Sequence, residues 1–107
     1  MELSEAKIAE LKQKHGDRLF ALDAPNGVTM VFHAPTKAVW TEFIDTTLKD
    51  KSSKVACILK CALQCVAYPS VAEVSAVFDQ YPALPASINV ELAKLAGQSD
   101  DLDIKKL

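Results

Sequence analysis

Three cysteines, Cys57, Cys61 and Cys65, and two histidines, His15 and His33, are the residues of this chain whose types could carry chemistry. The cysteines recur every fourth residue, so on a helix all three fall along one face. That spacing limits what they can do. At ~1.5 Å of rise per residue, Cys57 and Cys65 stand ~12 Å apart along the axis. One metal ion cannot reach both, because Zn–S bonds are only ~2.3 Å long. An i, i+4 pair could supply two ligands, with His15 or His33 as the others, but no zinc-site spacing is present. Thiols on one helix are poorly placed for a disulfide, which combines a Cα separation of ~5.5–6 Å with restricted Cβ geometry. A Cys–His nucleophile pair needs a thiol open to solvent, and these thiols sit on the least polar segment of the chain. Free cysteine packs as a small hydrophobe, and core packing is the role the pattern predicts.

The carboxylates offer no stronger constellation. Glu42, Asp45, Glu73, Asp79 and Glu91 are spread over predicted exposed faces, as solubilising charges or caps. With glycine only at 16, 27 and 97, there is no glycine-rich phosphate loop. No residue is assigned a catalytic, cofactor-binding or metal-binding role, and an enzyme is not expected.

The elements that would position these side chains are legible from punctuation and period. Ser4 to Lys14 predicts a helix capped by Ser4, with Ile8 and Leu11 as its apolar stripe and Gly16 at its end. Leu19–Leu22 and Val28–Phe32 predict two strands. Between them, Pro25 fixes φ at the second turn position, Asn26 tolerates the third, and Gly27 permits positive φ at the exit. Two strands alone are rarely stable, so a helix must cover one face or a neighbouring subunit must extend the sheet. Thr36 caps a second helix running to about Leu48, with Trp40, Phe43, Ile44 and Leu48 as its expected buried stripe. Lys49 to Ser53 is the turn.

Val55 to Ala67 predicts a nearly all-apolar, central helix stopped by Pro69. Ser70 and Glu73 have capping-box spacing. They open a helix with Val74, Val77, Phe78 and Tyr81 on one side, broken at Pro82. Pro85 suits the first turn of a last helix, which carries Ile88, Leu92 and Leu95 and ends at Gly97. The fold class expected is therefore α+β and mostly helical: an N-terminal helix, one β-hairpin, then about four α-helices. Residues 1–97 form a single domain, and 98–107 are expected to be a disordered charged C-terminal tail.

Size and charge exclude several functions. At 107 residues the chain can bury a core without disulfides or metals. Half of it is hydrophobic, so either the core is well filled or apolar surface remains for self-association or a hydrophobic partner. A net charge of −2 does not suit a nucleic-acid binder. Lys49, Lys51, Lys54 and Lys60 are interrupted by Asp45 and Asp50, which makes a solvated loop and helix start. The longest apolar stretch, 55–68, is broken by Lys60 and Gln64 and falls short of the ~20 residues a bilayer needs. The charged N-terminus is no signal peptide, and an odd cysteine count fits a reducing cytoplasm.

Two stretches resemble a known family. Cys65-Val66-Ala67-Tyr68-Pro69-Ser70, with Glu73, Tyr81-Pro82-Ala83-Leu84 and Leu95-Ala96-Gly97, is similar to small tail assembly chaperones of long-tailed bacteriophages. So is Phe32-His33-Ala34-Pro35-Thr36-Lys37-Ala38-Val39-Trp40, where a strand ends in an aromatic-x-Ala-Pro turn and leads into a helix. The resemblance covers roughly residues 28–97 and rests on structural punctuation. It implies a non-enzymatic protein of the host bacterial cytoplasm, absent from the mature virion. Such a protein would bind the helix-rich tape-measure protein and keep it soluble while the tail tube polymerises. It also implies tail-tube recruitment through a longer frameshifted form, and the exposed hairpin edge and apolar helices make a homo-oligomer the expected assembly. No binding residues come with the resemblance.

A chaperone for an apolar helical client needs an exposed groove. The residues expected to line it are Val71, Val74, Val77, Phe78, Leu84, Ile88 and Leu92; the alternative is that they fill the core. Two other functions remain open from the sequence. One is a phage structural piece, such as a tail-completion or head–tail connector subunit. The other is a cysteine-based redox or metal-binding protein.

Overall fold

In the computed structural model, which describes residues 3–49, 53–98 and 105, the Pro-Asn-Gly turn forms where its residues predict. Strand β1 (Leu19–Asp23) pairs antiparallel with β2 (Thr29–His33), Ala21 opposite Val31. Gly27 donates its N–H to the Ala24 carbonyl at 2.8 Å and takes φ of 89°, which a side chain would strain. The Asn26 carboxamide oxygen accepts from the Val28 N–H at 3.1 Å, closing the turn on itself.

A third strand, β3 (Val66–Tyr68), pairs antiparallel with the far edge of β2, so the sheet order is β1-β2-β3. This corrects the helix expected to reach Ala67. Helix α3 (Lys54–Gln64) stops at Gln64, with Cys65 as its C-cap. The physical reason is local and tertiary at once. Tyr68 precedes Pro69 and is pushed towards extended backbone, valine and tyrosine suit a pleated surface, and the open edge of β2 offers hydrogen bonds. The His33 N–H takes one of them, donating to the Cys65 carbonyl at 2.9 Å.

The helices begin where their caps stand. Helix α1 (Glu5–His15) starts at Ser4, whose hydroxyl accepts from the Lys7 N–H at 3.1 Å. Helix α2 (Lys37–Thr47) starts at Thr36, and α3 at Ser53. Helix α4 (Val71–Gln80) starts at Ser70, which accepts from the Glu73 N–H at 3.2 Å. The Glu73 carboxylate makes no return bond, so the expected capping box is only half closed. Helix α5 (Leu84–Leu95) has no side-chain cap and carries Pro85 in its first turn.

The sheet is the middle of three layers. Met30 and Phe32 of β2 point to one face and are wholly buried among Cys61, Ala62 and Cys65, Val74, Val77 and Phe78, and Ile88 and Leu92. These come from α3, α4 and α5, which together cover that face. Helix α1 lies on the opposite face. Arg18 stitches the ends of the fold together, its guanidinium donating to the Leu95 carbonyl at 2.7 Å.

Helix α2 departs from expectation. None of its residues is buried. Trp40 and Phe43 are half-buried and lean on each other, with ring centroids 5.3 Å apart, while Ile44 and Leu48 face solvent. The helix packs chiefly on α3, at the side of the layer, where Val39 and Phe43 reach the core while Ile44 and Leu48 do not. The charged tail expected over 98–107 lies outside the described residues apart from Gln98 and Lys105.

Phe32 is the largest fully buried side chain and its ring stacks on Phe20 at 5.4 Å. Phe32→Ala should therefore destabilise the fold by about 3–5 kcal/mol, the usual cost of emptying an aromatic core site. Urea unfolding followed by circular dichroism measures it. A loss under about 1 kcal/mol would mean that β2 is not the centre of the core.

Candidate functional site

The cysteines go where a small hydrophobe goes. Cys61 and Cys65 are buried in the core and Cys57 is half-buried. A shared hydrogen bond with Cys61, then burial, pushes the Cys65 thiol up, and the same bond lowers the Cys61 thiol against the opposing effect of burial. Both thiols are enclosed in the core, and a thiol closed off from solvent is a poor nucleophile and a poor metal ligand. Among the described residues, no group of three His, Cys, Asp or Glu side chains could hold a metal ion.

The histidines, separated by the hairpin in sequence, meet in space. His15 ends α1 and His33 ends β2, and their rings stack with centroids 5.1 Å apart and planes 7° from parallel. Burial lowers the His15 pKa, and the neighbouring His33 and Lys14 lower it further. His33 Nδ1 lies 2.8 Å from the Ala34 carbonyl, which only accepts, so Nδ1 carries the proton. Stacked rings do not converge on a common point as metal ligands must. The sequence signal for this pair was the line Lys7, Leu11, His15 at i, i+4, i+8, which shares one face of α1.

The carboxylates expected at the surface are there. Asp45, Glu73, Asp79 and Glu91 are exposed; Glu42 pairs with Lys60 across α2 and α3, and Glu91 pairs with Lys94 along α5. The hydrogen bond to Glu42 raises the Lys60 pKa, as does the charge of that carboxylate. A shallow hollow on α2 is lined mostly by such polar side chains, including Lys37, Glu42, Asp45 and Lys49.

One hollow on the surface is apolar. It lies between the first half of α3 and the corner joining α4 to α5, with a volume of about 460 Å³. Val55, Ile58 and Leu59 form one wall, Pro82, Ala83, Pro85 and Ala86 the other, with Phe78 between them and Asp79 as the one charge. Two prolines hold the corner in a fixed shape. Val55 is 73% exposed, which for valine on a structured helix leaves a bare apolar edge. A second hollow of about 540 Å³ flanks the other half of α3, lined by Ala56, Leu59, Leu63, Val66 and Val71 with Lys60 and Gln64. Leu59 borders both, so α3 stands as a ridge between two largely apolar troughs, with Lys60 and Gln64 exposed along it.

This arrangement corrects the expected groove. Of its seven residues, Val74, Val77, Ile88 and Leu92 are buried in the core and Leu84 packs against it. Phe78 reaches the first hollow from the core, and Val71, half exposed, lines the second. The stripes of α4 and α5 face the sheet because that is where Met30 and Phe32 must be covered. The walls come instead from α3 and the proline corner, which the apolar periodicity of α3 left without a preferred side.

Thiol chemistry tests the placement of the cysteines. In the folded protein an aromatic disulfide reagent should titrate Cys57 readily, and Cys61 and Cys65 only on unfolding. Cys61→Ser should cost more stability than Cys61→Ala, by about 1–2 kcal/mol, because it buries a hydroxyl in an apolar site. Rapid native labelling of all three thiols would contradict the buried pair.

Comparison with known proteins adds a family and a fold. No curated protein matches this chain. The chain is similar to a solved structure, the uncharacterised protein RBSTP2171 from Bacillus stearothermophilus, with a TM-score of 0.73 at 19% identity, covering 92% of this chain and 99% of that one. At that identity the likeness is one of fold. Residues 11–105 match the family described as a domain of unknown function (DUF6848), and the chain belongs to that family.

Proposed function

We propose that this protein is a tail assembly chaperone of a long-tailed bacteriophage, without enzymatic activity, that binds the tape-measure protein and keeps it soluble in the host cytoplasm while the tail tube polymerises. The observation that carries the proposal is the ridge of α3 with its two largely apolar troughs, which no described element fills. The resemblance of residues 28–97 to such chaperones supplies the client.

The physics of the surface fits an amphipathic helix as its occupant. A helix docks by laying apolar side chains at i, i+3, i+4 and i+7 into a groove. Helix α3 has 11 residues, so the ridge is ~16 Å long and holds about three turns of client. The ridge is short, and one copy binds weakly. Many copies along a long helical client would hold it by avidity, with self-association adding to the effect. No helix among the described residues is long and apolar enough to cross a membrane.

Co-expression with the tape-measure protein of the same genome, affinity capture and gel filtration test the proposal. A soluble complex holding several copies of this chain is expected. Val55→Asp and Ala86→Glu place charges on opposite walls at exposed positions, so the fold should survive while capture falls about tenfold or more. An insoluble tape measure beside free chain would overturn the proposal. Finding the protein in purified virions would favour a structural, tail-completion or connector subunit instead.

A further inference from the structure

We infer that α1 is a detachable strap across the back of the sheet, held by a single line of three side chains and released when both stacked histidines carry a proton. The line is Lys7, Leu11 and His15. The Lys7 ammonium lies 5.4 Å from the centre of the Tyr68 ring on β3. Leu11 is the only buried residue of the helix. His15 stacks on His33 of β2. The rest of α1 is charged or exposed, Ile8 included. Leu11 and Val31 are buried yet stand outside the main core cluster, which lies on the other side of the sheet. The strap can therefore lift without opening the core.

The stack is the pH-sensitive member of the line. His33 keeps its Nδ1 proton on the Ala34 carbonyl, so it gains a second proton only at Nε2. Two imidazolium rings ~5 Å apart and face to face repel, with little water between them to screen the charge. The surroundings offer no relief. Lys14 stands beside His15 on the helix, Lys7 and Tyr68 occupy the next contact along, and Asp17 and Arg18 follow in the linker, with Arg18 committed to the Leu95 carbonyl. No carboxylate among the described residues pairs with either ring.

The sign follows from the direction of the shift. The docked His15 has its pKa lowered from 6.5. Above that value both docked and released forms are neutral and docking is at full strength. As pH falls below it, the released form binds the proton first, and docking weakens until the lowered value is passed. A released α1 is too short and too charged to persist as a helix. Its departure bares Val31 and Tyr68 on the back face.

Amide exchange read by NMR, with each rate divided by its intrinsic rate, tests this on the full chain. Between about pH 7.5 and pH 5, α1 protection should fall about tenfold more than that of α5. His15→Phe keeps a flat ring on His33 and removes one of the two charges, so most of that extra fall should vanish. Three results would overturn the inference: equal protection losses in α1 and α5, an unchanged loss in His15→Phe, or an α1 already unprotected at neutral pH.

Discussion

Everything in this fold is arranged around the need to cover one strand on all four sides. Met30, Val31 and Phe32 are adjacent, apolar and point to alternate faces, so β2 cannot lie at an edge or face water on either side. Strands β1 and β3 take its edges, α3, α4 and α5 take one face, and α1 takes the other. That demand explains why the chain after α3 turns back into three residues of strand before continuing as helix. It also explains why the α4 and α5 stripes are spent inward. Apolar side chains the core did not need are left over, among them Val55 on α3 and Ile44 and Leu48 on the exposed edge of α2.

The leftover surface is the functional argument. The polar groups among the described residues are dispersed, paired or capping, and the thiols of Cys61 and Cys65 are closed off in the core. The apolar surface is concentrated, and its walls are stiffened by Pro82 and Pro85. Under the proposed function, such a surface would recognise shape and apolar periodicity and discriminate little among sequences, which suits a client that presents many similar helical turns in succession.

Much of the fold was legible because its signals were local. Ser4, Thr36, Ser53 and Ser70 each start a helix through a hydrogen bond that their own side chains make. Pro25, Asn26 and Gly27 specify the turn by conformational preference alone. The misses were tertiary. Val66-Ala67-Tyr68 is extended because β2 had a vacant edge, and an apolar helix pattern masked that. Trp40 to Leu48 has the period of a buried stripe, but burial depends on whether another element reaches it. Val74, Val77, Ile88 and Leu92, expected to line a groove, instead fill the core, while Phe78 and Val71 reach the hollows, since apolar periodicity does not say which side of a helix is outward. The histidine stack joins residues 18 apart, and only the positions of Lys7 and Leu11 on the same helix face hinted at it.

The bond between Arg18 and the Leu95 carbonyl has a mechanical meaning. Helix α5 is a strut. Its first turn, with Pro85 and Ala86, is a wall of the apolar hollow, and its last turn, roughly 15 Å away, is pinned to the start of β1. A wall anchored at its far end cannot swing to meet a ligand or collapse when empty. The hollow is thus closer to a mould than to a hinge: it would spend little ordering entropy on contact, and a helix docked there under the proposed function would have to do the adjusting.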